Sequence, residues 1–218
     1  MMGPGQNERQ SEGQPQAWLR ARARLMPDLL PRSPAWVRSV FDHTWAPMAA
    51  LTRQVRLLPR ALWDYMLDCA GGAVYITVDE SKYVPGPMTI RGQETLNVAK
   101  ISVEDLGREN ERVLHTIGYL IDHYLGCGGA ADGAWLSEGG GVNPVWQQAG
   151  SRLPGLFELG YGVDEVARSD VRAYFCQSLA IYCQDRQRLN TADPQIAKWF
   201  RSTLWNDAFW QTNENQGG

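Results

Sequence analysis

The sequence predicts an α+β fold, mostly helical with a small mixed sheet, and three observations carry that expectation. From Ala17 onward apolar residues recur at helical spacing through most of the chain. Two short stretches, residues 74–78 and 96–101, alternate with period two instead, which is the mark of half-buried strands. Just after them comes the most continuously apolar segment, residues 113–126, which reads as a buried helix ended by glycine.

Taken in order, residues 1–16 are Gly, Pro, Gln, Glu and Ser with almost nothing to bury, so a disordered tail is expected. Helical spacing begins at Ala17. Ser33-Pro34 is a good N-cap and first-turn pair for a segment carrying Trp36, Val37, Val40 and Phe41. His43, beside Asp42 and Trp45, has no metal-ligand spacing around it and reads as a packed or surface residue. A further helix runs from about Pro59 to Cys69, and Gly71-Gly72 stops it. The strand over 74–78 follows, then a turn at Pro85-Gly86-Pro87 before Met88-Thr89-Ile90, then the strand over 96–101. Ser102 with Asp105 has the form of a capping box and places the start of the key helix near Val103.

Residues 126–165 are rich in Gly and Trp and read as an irregular excursion, with Glu138 on its surface. Ser169-Asp170 caps a helix with an apolar stripe of Val171, Tyr174, Phe175, Leu179 and Tyr182, opposite Ala173, Gln177 and Ala180. Asp193-Pro194 opens a last helix with Ile196, Trp199, Phe200, Leu204 and Trp205, and residues 211–218 are expected to fray. One domain over 17–210, between two tails, accommodates all of this.

Composition excludes several classes. With 218 residues, 44% hydrophobic and net charge -3, nothing overall suggests a nucleic-acid binder. Charge is uneven, however: residues 1–60 hold nine Arg against four acids, on solvated faces or toward an anionic partner or membrane surface. Cys69, Cys127, Cys176 and Cys183 show no zinc-site spacing and read as reduced and mostly buried. No apolar run reaches the length of a membrane span and no signal-peptide pattern opens the chain. A cytoplasmic location is expected, or secretion by a route without a visible signal peptide. The nine Trp mostly fall on amphipathic stripes and read as core.

Residues 113–126 carry the chemistry. Val113, Leu114, Ile117, Leu120, Ile121 and Tyr124 share one helical face; His115, Tyr119 and Asp122, at i, i+4 and i+7, share another and are expected to converge on one cleft. A zinc-protease helix needs His at i and i+4 as ligands with a Glu between them as general base. Here the same frame reads His115, Thr116 and Tyr119.

The run His115-Thr-Ile-Gly118-Tyr119-Leu-Ile-Asp122-His-Tyr124-Leu-Gly126 resembles the zinc helix of the anthrax lethal factor family, which includes the secreted Pro-Pro endopeptidases. That helix has the form H-E-F-G-H-x-x-D-x-Y-x-G, matched at His115, Gly118, Asp122, Tyr124 and Gly126. Arg172-Ala-Tyr-Phe-Cys-Gln-Ser-Leu179 is similar to the family's next helix, E-F-F-A-E-A-F. In that register the third zinc ligand falls on Ala173 and the second Glu on Gln177. Tyr161 is the nearest match to the family's oxyanion-stabilising Tyr. The resemblance spans residues 55–205 and implies a zincin-like metallopeptidase fold in a toxin-related, bacterial family. In lethal factor itself a zinc-less copy of the domain serves docking.

Each departure removes a function. Ala173 has no donor atom, a neutral Tyr119 phenol is a poor ligand, and one imidazole does not hold Zn²⁺. Thr116 is far too weak a base to take a proton from water. Gln177 in place of a carboxylate removes charge that would attract a cation. The expectation is a catalytically inactive, zinc-free pseudopeptidase that binds protein or peptide, with a cleft at His115, Tyr119, Asp122 and Gln177 and an extended segment added to the sheet edge. Two alternatives remain open: a metal site of His115, Asp122 and His123, and a divergent metal-free hydrolase around His115, Tyr119 and Asp122. A hydrogen-bonded His115–Tyr119 pair filling the metal space is the plainer arrangement.

Overall fold

Strand pairing sets the frame. In the computed structural model, which describes residues 14–214, four strands form one mixed sheet in the order β1-β2-β4-β3. They are β1 (Ala23–Leu25), β2 (Ala73–Thr77), β3 (Lys82–Ile90) and β4 (Gln93–Ser102). β1, β2 and β4 run parallel, and β3 closes one edge antiparallel to β4. The α+β class expected of the sequence is therefore observed. β2 is buried on both faces apart from Tyr75, as a central parallel strand must be.

The tail expected over 1–16 is overtaken at its end by helix α1 (Gln14–Arg22), anchored by Trp18 against Trp63 with ring centres 5.0 Å apart; residues 1–13 lie outside the described residues. β1 follows at once and was not legible, because three residues are too few to show alternation. Helices α2 (Leu29–Arg32), α3 (Ala35–Val40), α4 (Ala46–Val55) and α5 (Arg60–Asp68) pack before β2. Ser33 does not cap α3: its hydroxyl donates to the Leu29 carbonyl at 2.6 Å and Pro34 takes the cap position. Pro59 opens α5, which ends in extended backbone at Cys69, before the expected stop; Gly71 and Gly72, both at positive φ, then turn the chain into β2.

Pro85-Gly86-Pro87 is not a turn. β3 runs through it with one extra residue, the register passing from Val84↔Val98 to Pro87↔Leu96, and the Gly86 N–H donates to the Asn97 side chain at 2.8 Å. Prolines are tolerated there because β3 is an edge strand. The turn itself is Arg91-Gly92, both at positive φ, which matches the right-handed twist of a tight hairpin.

The long helix expected from Val103 is two helices, α6 (Val103–Arg108) and α7 (Arg112–Cys127). Glu109 at φ 50° breaks them. Ser102 caps α6 by accepting from the Glu104 N–H, but Asp105 completes no capping box; it accepts from Ser81 Oγ at 2.6 Å and Asn110 Nδ2 at 2.9 Å. α7 ends at Gly128, in the left-handed region, and not at Gly126. Gly126 is needed for another reason: a Cβ there would lie 2.2 Å from the Leu136 nitrogen, so the chain crosses directly over it.

The excursion over 126–165 is less irregular than expected. It holds a 3-10 turn (Leu136–Glu138), α8 (Pro144–Gly150), capped by Asn143 accepting from the Trp146 N–H, and α9 (Leu153–Glu158). Then come α10 (Val171–Gln184), capped by Asp170 as read, α11 (Arg186–Ala192), α12 (Pro194–Ser202), capped by Asp193, and α13 (Asp207–Glu214). α10 is buried nearly all round, its Ala173 and Gln177 side included. α12 stops before Leu204, which still enters the core, and α13 extends into the expected C-terminal tail, of which residues 215–218 lie outside the described residues. One core runs from Trp18 to Trp210, and Trp45 stands apart from it, two-thirds exposed. The four cysteines are free; Cys176 is buried and the others half-buried. Among the described residues no helix is long and apolar enough to cross a membrane.

Candidate functional site

α7 and α10 cross at Gly118. A Cβ on that residue would stand 3.0 Å from Cys176 Cα, so only glycine lets the backbones approach this closely. The crossing brings His115, Thr116 and Tyr119 of α7 beside the start of α10. β3 forms the opposite wall with Tyr83 and Pro85, and the chain crossing Gly126 carries Trp135 over the far end. The result is a groove of two adjoining hollows that share Ser81, His115 and Thr116. One, of about 370 Å³, is walled by Tyr83, Tyr119, Trp135 and Arg172. The other, of about 560 Å³, is walled by Glu111, Val166 and Gln177.

His115 and Tyr119 pack edge to face, ring centres 5.2 Å apart at 87°, without the hydrogen bond expected of them. His115 Nε2 is buried and meets no hydrogen-bond partner among the described residues. Burial, and then the Arg112 charge, push the imidazole below its ordinary value, with Asp164 and Asp170 opposing, so it is neutral near pH 7. Burial raises the Tyr119 phenol well above its ordinary value. Its ring lies parallel to Tyr83 at 6.5 Å and edge-on to Trp135 at 6.1 Å.

Asp122 does not join them. It is fully buried beneath the 3-10 turn, where it accepts from Ser137 N–H at 2.7 Å and from Ser137 Oγ at 2.6 Å. Burial pushes this carboxyl up to about 7, against the lowering effect of those two bonds. The i+7 position had rotated far enough around α7 to face the crossing loop. His123 is likewise engaged: Nε2 lies 2.9 Å from the Ala130 carbonyl and must carry the proton, leaving Nδ1 to accept from Tyr83 Oη at 2.7 Å. Trp135 stacks on His123 at 4.6 Å, the Arg172 guanidinium lies 4.0 Å from the Trp135 ring centre, and Glu138 pairs with Arg172 at 2.7 Å. Glu138 is exposed, as read, and its pairing with Arg172 closes the stack of His123, Trp135 and Arg172 at one end of the groove. Tyr124 faces the sheet, donating to the Ala70 carbonyl and accepting from Asn97.

Gln177 sits where a lost charge was expected, yet the charge is present. Its amide donates to Glu111 Oε2 and to Asp164 Oδ2, each at 2.9 Å, and Glu111 also pairs with Arg188. Glu111 lies one turn before His115 on the same stripe and was legible there; Asp164 gave no signal. Ala173 is buried and supplies only its backbone N–H, to Asp170. Thr116 is buried, and Tyr161 is half-exposed and lines neither hollow.

These residues do not fit the zinc that the resemblance implies. His115 is the one ready donor, the Tyr119 phenol resists ionisation, and Ala173 has none. Among the described residues no three His, Cys, Asp or Glu side chains gather as a metal site. His123 points away into its own network, so the set of His115, Asp122 and His123 does not assemble. Comparison with protein families, characterised proteins and solved structures finds no match to this chain.

Proposed function

We propose that the chain is a zincin-type domain that has lost its peptidase chemistry and binds an extended segment of a protein or peptide in the groove between β3 and α7. One observation carries the reading: His115 lines the groove with its Nε2 buried and unpartnered, and the α10 position to which the resemblance gives a ligand is Ala173, which is buried and has no donor atom. An antiparallel edge strand lying over the His115 helix supports the fold assignment. β3 pairs on one side only, so its free edge can take an added strand, with main-chain hydrogen bonds giving affinity. Tyr83, Tyr119 and Trp135 then supply apolar contact along the hollow that His115 also lines.

A metal-free hydrolase around His115, Tyr119 and Asp122 has less support. Asp122 is engaged by Ser137, and His115 and Tyr119 share no hydrogen bond. The test is metal analysis of protein purified without chelator, alongside His115→Ala. Zinc well below one atom per chain in both proteins is expected. Stoichiometric zinc that disappears with His115 would sink the pseudopeptidase reading. Bound peptide should also slow amide exchange along Lys82–Val84.

A further inference from the structure

The sheet has a second edge, built differently from the first. Met26 N–H bonds the Ile76 carbonyl, and the alternation of a parallel strand then turns the Ala23 and Leu25 carbonyls of β1 away from β2. Neither is left open. Arg24 Nη1 donates to the Ala23 carbonyl at 2.9 Å, and the Arg91 guanidinium at the β3–β4 turn donates to the Leu25 carbonyl. A strand added here would have to compete with both guanidiniums for these acceptors.

Covering the edge this way concentrates positive charge. Arg20, Arg24 and Arg91 line one groove between α1 and α4, of about 610 Å³, and none of them has a carboxylate within ion-pair distance among the described residues. The adjoining hollow shares Arg24 and Arg91, adds Arg22, and brings a single acid, Glu94. Arg22 also spends its hydrogen bond on a carbonyl, that of Cys69. The Arg excess of the first sixty residues is therefore gathered in part at one place, without an ion-pair partner among the described residues. Beneath the guanidiniums the groove floor is aliphatic, with Leu19 and Leu25 buried, and Trp45 stands exposed at the rim.

The occupant follows from these features. Helices on two sides, an apolar floor and occupied backbone acceptors suit a helix, whose own backbone is already satisfied, better than an added strand. Guanidiniums without counter-ions call for carboxylates beside the apolar stripe. A concave slot between helices suits an inserted segment better than a bilayer. We propose that this groove docks an amphipathic helix of a protein partner whose apolar stripe is flanked by Asp or Glu. The site lies across the sheet from the His115 groove and does not depend on the reading of that groove.

The test uses the full chain and two fluorescein-labelled helical peptides. Both present Leu at i, i+3, i+4 and i+7; one carries Glu and the other Lys on the flanks. Fluorescence anisotropy should show the Glu peptide bound at least about tenfold tighter than the Lys peptide, a margin that shrinks as salt screens the groove. Arg20→Glu should erase that preference, and Trp45→Ala should weaken both peptides. The Arg20 side chain makes no hydrogen bond among the described residues, its carbonyl alone accepting from Arg24, and Trp45 is exposed, so circular dichroism and thermal melting of both variants should match wild type. Equal binding of the two peptides, no binding of either, or a preference that survives Arg20→Glu would overturn the proposal. Co-sedimentation with phosphatidylglycerol vesicles that is lost in the same variants, without peptide discrimination, would also overturn it and assign the groove to a membrane surface.

Discussion

Replacing Asp122 by Asn probes the fold at a fully buried acid. In the folded chain this carboxyl is fully enclosed and pushed up to about 7, with burial the largest cause and the Ser137 bonds opposing it. In the unfolded chain the same group titrates near ~3.9. Between those values the unfolded state releases its proton while the folded state keeps it, so the unfolded state binds fewer protons and stability falls as pH rises. The fall begins near pH ~4, is complete just above pH 7, and amounts to about 3 pH units at ~1.4 kcal/mol each, or roughly 4 kcal/mol. Asn keeps the geometry without titrating, since its oxygen can accept the Ser137 N–H while its amide donates to Ser137 Oγ. Urea unfolding across pH 4.5 to 8 should therefore show wild type losing several kcal/mol more than the variant, with Asp122→Asn the more stable protein above pH 7. Parallel pH profiles for the two would refute the reasoning, because the carboxyl would then ionise in place as readily as in the open chain.

Gly118→Ala places a methyl group 3.0 Å from Cys176 Cα, a backbone atom that cannot swing aside. Overpacking of ~1–3 kcal/mol should exceed the ~1 kcal/mol gained in helix propensity, and a denaturation midpoint that stays or rises would discredit the close crossing. Tyr119→His with Ala173→Glu adds two donors beside His115; titration should find one tightly bound zinc in the double variant and none in wild type, and a double variant that binds nothing would show that the two helices are not in the assumed register. Gln177→Glu sets a third carboxylate against Glu111 and Asp164. At ~4 Å and an effective dielectric of ~20 each new pair costs up to about 4 kcal/mol, less where solvent reaches Glu111, so melting should drop at pH 7.5 and recover toward pH 4.5. An unchanged melting temperature at pH 7.5 would mean that these carboxylates do not converge.

What was legible follows from what each signal depends on. Caps built from a local side chain could be read, as at Asp170 and Asp193, because the residue that accepts the bond and the helix it starts are neighbours in sequence. The break at Glu109 could not, since a left-handed residue between two apolar helical segments leaves the spacing intact. Pro85-Gly86-Pro87 misled because those residues serve a turn or an edge-strand bulge equally well, and only pairing with Asn97 decides between them. In the groove, His115 and Tyr119 stand where helical spacing put them. Asp122 does not, because the wheel places a side chain on a face and is silent about which chain will cross that face.

The Gln177 amide joins three parts of the fold. A Glu at 177 would meet the carboxylates of Glu111 and Asp164, and three such groups in one place would call for a cation to hold them. A Gln at 177 offers two N–H groups, one for each carboxylate, and does without the cation. The result is a satisfied amide bridge that ties α10 to the start of α7 and to the loop carrying Asp164. The bridge also bears on His115, because Asp164 opposes the burial that lowers the imidazole's affinity for a proton. Burial and then the Arg112 charge outweigh Asp164 and Asp170, so the imidazole remains neutral and its buried Nε2 unpartnered. His115 Nε2 is thus a polar atom enclosed in the groove wall without a partner among the described residues.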